Sequence, residues 1–84
     1  MQYQMQEQHF SRLFGILSQL SPYSQVCVHD LAAEYKVNER TIERDIDVLR
    51  EAKLGVFYDE NNAVKISRVG YGKIKSWIEG AEKE

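Results

Sequence analysis

Apolar residues recur at three- and four-residue spacing between His9 and Leu20, where Phe10, Leu13, Phe14, Ile16, Leu17 and Leu20 share one broad face. That period predicts a first helix with its apolar side against a core. The polar, glutamine-rich opening MQYQMQEQ reads as a fraying extension of it. Ser21-Pro22 ends the helix, because the residue before a proline is driven out of helical geometry. Gln25-Val26-Cys27-Val28 is short and β-branched, which suits a brief strand or an extended link. A second helix opens at His29-Asp30. There Asp30 is placed to cap free N–H groups, Glu34 adds negative charge near the N-terminal end, and Leu31, Ala32 and Tyr35 make an apolar patch.

Lys36-Val37-Asn38 ends that helix and starts a third, with Asn38 as its cap. Ile42, Ile46 and Leu49 line one face of the third helix. Arg40, Arg44, Asp47 and Glu51 stand opposite, flanked by Glu43 and Arg50. Two helices joined by so tight a turn, the second amphipathic with arginines on its free side, form a helix-turn-helix pattern over about 30–52. The pattern alone leaves open whether such a pair reads DNA or only builds a three-helix core. After Leu54-Gly55, the runs Val56-Phe57-Tyr58 and Ala63-Val64-Lys65-Ile66 flank a polar turn and predict a hairpin over about 55–67. Asn61 and Asn62 tolerate the left-handed backbone a tight turn needs. An isolated hairpin is marginal, so this one must lean on the helices. Tyr71, Ile74, Trp77 and Ile78 then recur at helical spacing, a fourth helix over about 70–80 bounded by Gly70, Gly72 and Gly80. Either Ile74 and Trp77 cap the core, or this face is a surface for self-association. The expected fold is mainly α with a small β-hairpin: a single winged helix-turn-helix domain with an extra C-terminal helix.

Composition narrows the function. Eighty-four residues allow one small domain with a modest core, and 43% hydrophobic content is that of a globular chain. Cys27 is the single cysteine, so no internal disulfide forms, and next to two valines it reads as a small buried residue. No long apolar stretch could span a membrane, so a cytoplasmic protein is the default. The formal charge is −2, where a nucleic-acid binder of this size usually carries a basic surplus. The charge is uneven: residues 61–78 hold Lys65, Arg68, Lys73 and Lys75 with no acid, so a phosphate-facing surface would recruit there.

With these elements in place, the segment LAAEYKVNERTIERDIDVLREAKLGVFYDENNAVKI, Leu31 to Ile66, resembles the N-terminal winged-helix domain of DeoR-type and WYL-type bacterial transcription regulators. The likeness rests on Leu31-Ala32, Val37, Arg40-Thr41-Ile42, Arg44-Asp45-Ile46, Leu49 and Gly55, the last one place later than usual. Arg12, Ile16 and Leu20 also suit that family's first helix. The resemblance implies sequence-specific binding of double-stranded DNA by a bacterial or phage-type regulator, usually a homodimer. The third helix would lie in the major groove and the hairpin near the phosphates. Carried over, Thr41 and Arg44 contact DNA, Arg40 reaches a phosphate or base edge, and Asp45 serves structure by pairing with a neighbouring arginine or fixing the helix. Larger members of the family continue into an effector domain, so this chain reads as a small stand-alone regulator or one module of such a protein.

Three departures bear on function: Glu39 and Glu43 stand where the family is often basic or polar, and Asp47 adds a third acid to the free side. Each carboxylate could accept from a cytosine amino group or pair with Arg40, Arg44 or Arg50. The candidate DNA-binding set is therefore Arg40, Thr41, Glu43, Arg44 and Asp47 with Lys65 and Arg68, and the candidate dimer surface is Phe10, Tyr71, Ile74, Trp77 and Ile78. The same acids support an alternative, a winged-helix module that binds protein instead of DNA. No zinc spacing, phosphate loop or catalytic constellation is present, so neither metal, cofactor nor enzyme activity is expected; His9 reads as packed, and Asp59-Glu60 as a solvated turn.

Overall fold

A computed structural model describes residues 2–83, with side chains described over 7–80. The order is α1 (Gln2–Ser18), α2 (Val28–Tyr35), α3 (Glu39–Glu51), β1 (Val56–Tyr58), β2 (Val64–Ile66) and α4 (Arg68–Lys83). Among the described residues, four helices and one two-stranded antiparallel sheet make the protein mainly helical. No described helix is long and apolar enough to cross a membrane.

The core is drawn from every element except α4. Ile16 and Leu17 of α1, with Leu20 just beyond its end, meet Leu31 and Ala32 of α2 and Ile42, Ile46 and Leu49 of α3. Val56, Val64 and Ile66 of the hairpin complete it. Full burial of such a side chain stabilises by about 1.5–3 kcal/mol. The exposed Arg50–Asp47 pair on α3 is worth a few tenths by comparison. The apolar stripe of α3, not its charges, therefore sets how that helix is seated. Phe10 and Phe14 depart from the expected α1 face: they are exposed, Phe14 at 66%. The core reaches only the Leu13–Leu20 part of that face.

Local chemistry fixes the turn between α2 and α3. Lys36 ends α2 in the left-handed region, φ 57°, and Val37 N–H donates to the Ala32 carbonyl at 3.1 Å. Asn38 caps α3 as expected, its Oδ1 accepting from Thr41 N–H at 2.8 Å. The start of α2 is a correction. Its cap residue is Cys27, without a side-chain cap bond, and Asp30 sits inside the first turn. Leu31 N–H reaches the Cys27 carbonyl, so the helix begins one residue before His29. Cys27 is also only half-buried, its thiol donating to Asp30 Oδ2 at 3.1 Å.

The hairpin pairs Val56 with Ile66, Phe57 with Lys65 and Tyr58 with Val64. This register turns Val56, Val64 and Ile66 into the core with Tyr58 at its edge, and sends Phe57 and Lys65 to the other face. Its free edge is held by the α1–α2 connection. Val64 N–H donates to the Val26 carbonyl at 2.7 Å, Ser24 Oγ donates to the Val64 carbonyl at 2.8 Å, and Ile66 N–H reaches the Ser21 carbonyl at 3.3 Å. The segment 25–28 is thus an extended link rather than a strand, with Val28 already in α2.

Two further expectations change at α4. The helix starts at Arg68 because Ser67 Oγ accepts from Gly70 N–H at 3.1 Å. Gly70, Gly72 and Gly80 all lie within α4, which runs on to Lys83, instead of bounding it. Gly70 is required by packing, since a Cβ there would overlap the Leu54 carbonyl oxygen. Ile74 packs on the core, but Trp77 does not cap it and is 58% exposed.

Candidate functional site

Helix α3 has 100° between successive residues, so its outward side divides into lines of different chemistry. Ile42, Ile46 and Leu49 face the core. Arg40 and Arg44, one turn apart, stand opposite it, with Glu51 farther along the same line, and both arginines are exposed and without an ion-pair partner among the described residues. On the hairpin side run Glu39, Glu43 and Asp47. On the α1 side run Thr41, Asp45 and Val48. A sequence that alternates acid and arginine thus becomes, in three dimensions, an arginine ridge with an acidic flank.

The α1 flank is anchored by a buried ion pair. Asp45 is 2% exposed. Arg12 donates to it from Nε and, at 3.2 Å, from Nη2. The hydrogen bond to Asp45 raises the Arg12 pKa above its ordinary value; burial opposes this and the Asp45 charge adds to it. His9 Nε2 lies 3.3 Å from Asp45 Oδ1, the oxygen that also accepts from Arg12 Nη2. Asp45 pairs with an arginine, one of the two structural roles the resemblance implied, and that arginine, Arg12, comes from α1. His9, expected to be packed, is only half-buried at the rim of a recess lined by Gln8, Arg12, Thr41, Arg44 and Val48. The i,i+3 spacing of His9 and Arg12 was the available signal that both could meet one carboxylate.

The hairpin flank is a second recess, lined by Cys27, His29, Glu39, Glu43, Asp47, Tyr58 and Asn62. Glu39 Oε2 is 3.1 Å from His29 Nδ1. Asp47 Oδ1 is 3.9 Å from Arg50 Nη1. Glu43 makes no ion pair among the described residues. Burial, and then the charges of Asp47 and Glu43, push the Tyr58 phenol up, with Arg50 opposing. Of the arginine pairings open to the three acids, only Asp47 with Arg50 forms among the described residues, where Arg40 and Arg44 have no ion-pair partner.

The remaining candidates are dispersed. Thr41 Oγ1 donates to Asn38 Oδ1 at 2.9 Å, which commits its proton but leaves its lone pairs. Lys65 is not a free cation: Nζ lies 2.7 Å from Asp59 Oδ2, and its side chain is 17% exposed. Asp59 in turn is no mere solvated residue, because its Oδ1 accepts from Asn61 N–H at 2.8 Å and from Ala63 N–H at 2.9 Å. The Lys65 hydrogen bond, then that of Ala63, hold its carboxyl below the usual range. Arg68, at the start of α4, donates to the Tyr23 hydroxyl at 2.9 Å.

Of the candidate self-association residues, Ile74, Trp77 and Ile78 are brought together in an apolar groove with Phe14 and Leu17 of α1. Tyr71 turns to a different recess beside Pro22, Tyr23 and Arg68. Phe10 lies outside the groove and stacks on His9, ring centroids 6.3 Å apart. Among the described residues no group of three or more His, Cys, Asp or Glu side chains could hold a metal ion. Comparison with protein-family models, with curated proteins and with solved structures finds no match for the chain.

Proposed function

We propose that the chain is a winged helix-turn-helix protein that binds double-stranded DNA as a cytoplasmic transcription regulator of the DeoR or WYL kind. In this reading α3 enters the major groove and a homodimer forms through the apolar face of α1 and α4. The observation that carries it is the arginine ridge: Arg40 and Arg44 are exposed and unpaired among the described residues, on a helix fixed from behind. The fixing comes from Ile42, Ile46, Leu49 and the Arg12–Asp45 pair. Such a helix presents two guanidinium forks without first having to break local ion pairs. Guanidinium forks match guanine O6 and N7 in the major groove.

The hairpin contributes less than the sequence promised, since Lys65 is held by Asp59. Backbone contacts then fall to Arg68 and to exposed lysines of α4 such as Lys73. Few phosphates are neutralised, so the salt dependence is shallow, a log–log slope of about −3 for roughly three contacts. The test is fluorescence anisotropy on duplexes selected from a random pool, for wild type and Arg44→Ala, across a salt series. Arg44→Ala is expected to weaken the selected duplex about tenfold. Unchanged specific binding without Arg44 would overturn the α3 reading.

One observation favours a second reading, a protein-interaction module. The acids Glu39, Glu43 and Asp47 sit together with Tyr58 on the flank where a hairpin wing would approach phosphates. Failure of every duplex to bind in low salt, with a protein partner retained in a pull-down, would decide for it.

A further inference from the structure

Resting on the DNA-binding reading, we propose that Glu43 is a base-reading residue that selects cytosine within the site gripped by Arg40 and Arg44. The three acids of α3 are not equivalent. Glu39 is engaged by His29 at 3.1 Å, and Asp47 lies 3.9 Å from Arg50 in the second half of the helix. Glu43 is exposed, sits in the N-terminal half of α3, and has no ion-pair partner among the described residues. Recognition helices contact base edges mainly through their N-terminal residues. Glu43 also follows Arg40 by three positions, so the two side chains are neighbours on the helix surface.

An ionised carboxylate is acceptor-only. Among the major-groove edges, guanine offers it two acceptors, thymine an acceptor and a methyl group, and adenine a donor beside an acceptor. Cytosine alone offers an amino donor with no acceptor next to it. A carboxylate held at the groove floor is therefore repelled by guanine and thymine, meets the adenine amino group only beside the N7 acceptor, and is matched without repulsion by cytosine alone. The guanine paired to that cytosine presents O6 and N7 on the same edge, where the Arg40 fork is placed to bind. Glu43 and Arg40 are thus matched to the two halves of one C·G pair or of adjacent pairs. The same charge weakens contact with any duplex lacking the cytosine, which lets an acidic domain discriminate without a strong nonspecific grip.

The test is selection of duplexes from a random pool by the full chain and by its Glu43→Gln, Glu43→Ala and Arg44→Ala variants, with circular dichroism melts to verify folding. The wild-type motif is expected to favour cytosine about tenfold at one position. In Glu43→Gln that position shifts to adenine, because a carboxamide matches the adenine N6–N7 pattern. In Glu43→Ala the preference there disappears, binding to unselected duplex tightens several-fold, and the rest of the motif stays. Retention of cytosine by both variants, with Arg44→Ala still impaired, overturns this inference alone. Recovery of no duplex by the wild type overturns it together with the DNA-binding reading.

Discussion

Truncating Arg12 would leave the Asp45 carboxylate, 2% exposed, against apolar side chains with only the half-buried His9 beside it. Breaking one partner of a buried pair costs about 3–5 kcal/mol, whereas replacing both by apolar groups is often neutral. Arg12 keeps some solvent contact, so Arg12→Ala should destabilise by about 3 kcal/mol in urea unfolding. The double variant Arg12→Met with Asp45→Leu should recover most of that loss. A double variant no better than Arg12→Ala would mean that the stranded charge is not what the single substitution exposes. A structural role for Asp45 was implied by the family resemblance, and its place beside the Ile42–Ile46–Leu49 stripe agrees with that. Its partner was not legible in the sequence, since Arg12 is 33 positions away and only the packing of α1 on α3 brings them together.

At the scale of elements, the hairpin depends on one carboxyl group. Asp59 closes the turn through Asn61 and Ala63 and holds Lys65 across it. Its pKa is lowered, chiefly by the Lys65 hydrogen bond. A group depressed in the folded state contributes stability that is fully present above its unfolded pKa, about 4. That contribution is lost as the pH falls through the lower folded value. Asp59→Asn keeps the two turn acceptor bonds and removes the ion pair. Wild type should therefore melt above Asp59→Asn at neutral pH, and the gap should close in strong acid. A gap that persists in strong acid would assign the difference to the turn. The two strands and their polar turn were readable from alternation and from Asn61-Asn62; Asn62 does take the left-handed backbone, φ 64°. What alternation could not supply was the long-range bonding of β2 to Val26, Ser24 and Ser21. For the same reason Lys65 looked like a free cation in the sequence, where only its distance from acids along the chain is visible.

The whole molecule leaves apolar surface uncovered, and this follows from its size. A domain of 84 residues buries a smaller fraction of its surface than a large one. Its single core is filled by residues from α1, α2, α3 and the hairpin, with Ile74 of α4 packed against it. Periodicity marked Phe10, Phe14, Trp77 and Ile78 as apolar faces of helices but carried no measure of how wide the core would be. All four end exposed, and Phe14, Trp77 and Ile78 share the α1–α4 groove. Contiguous apolar surface of this kind marks association sites on soluble domains. If it joins two copies, as the proposed function requires, Trp77→Ser should convert dimer to monomer in sedimentation equilibrium. Its thermal unfolding as a monomer should still be cooperative, because Trp77 does not line the core. The substitution should also weaken a duplex carrying two half-sites far more than a duplex carrying one, since only the former needs both recognition helices on a single molecule of DNA. A wild-type chain that sediments as a monomer even at high concentration, and binds both duplexes alike, would separate DNA recognition by α3 from self-association and leave the groove without that role.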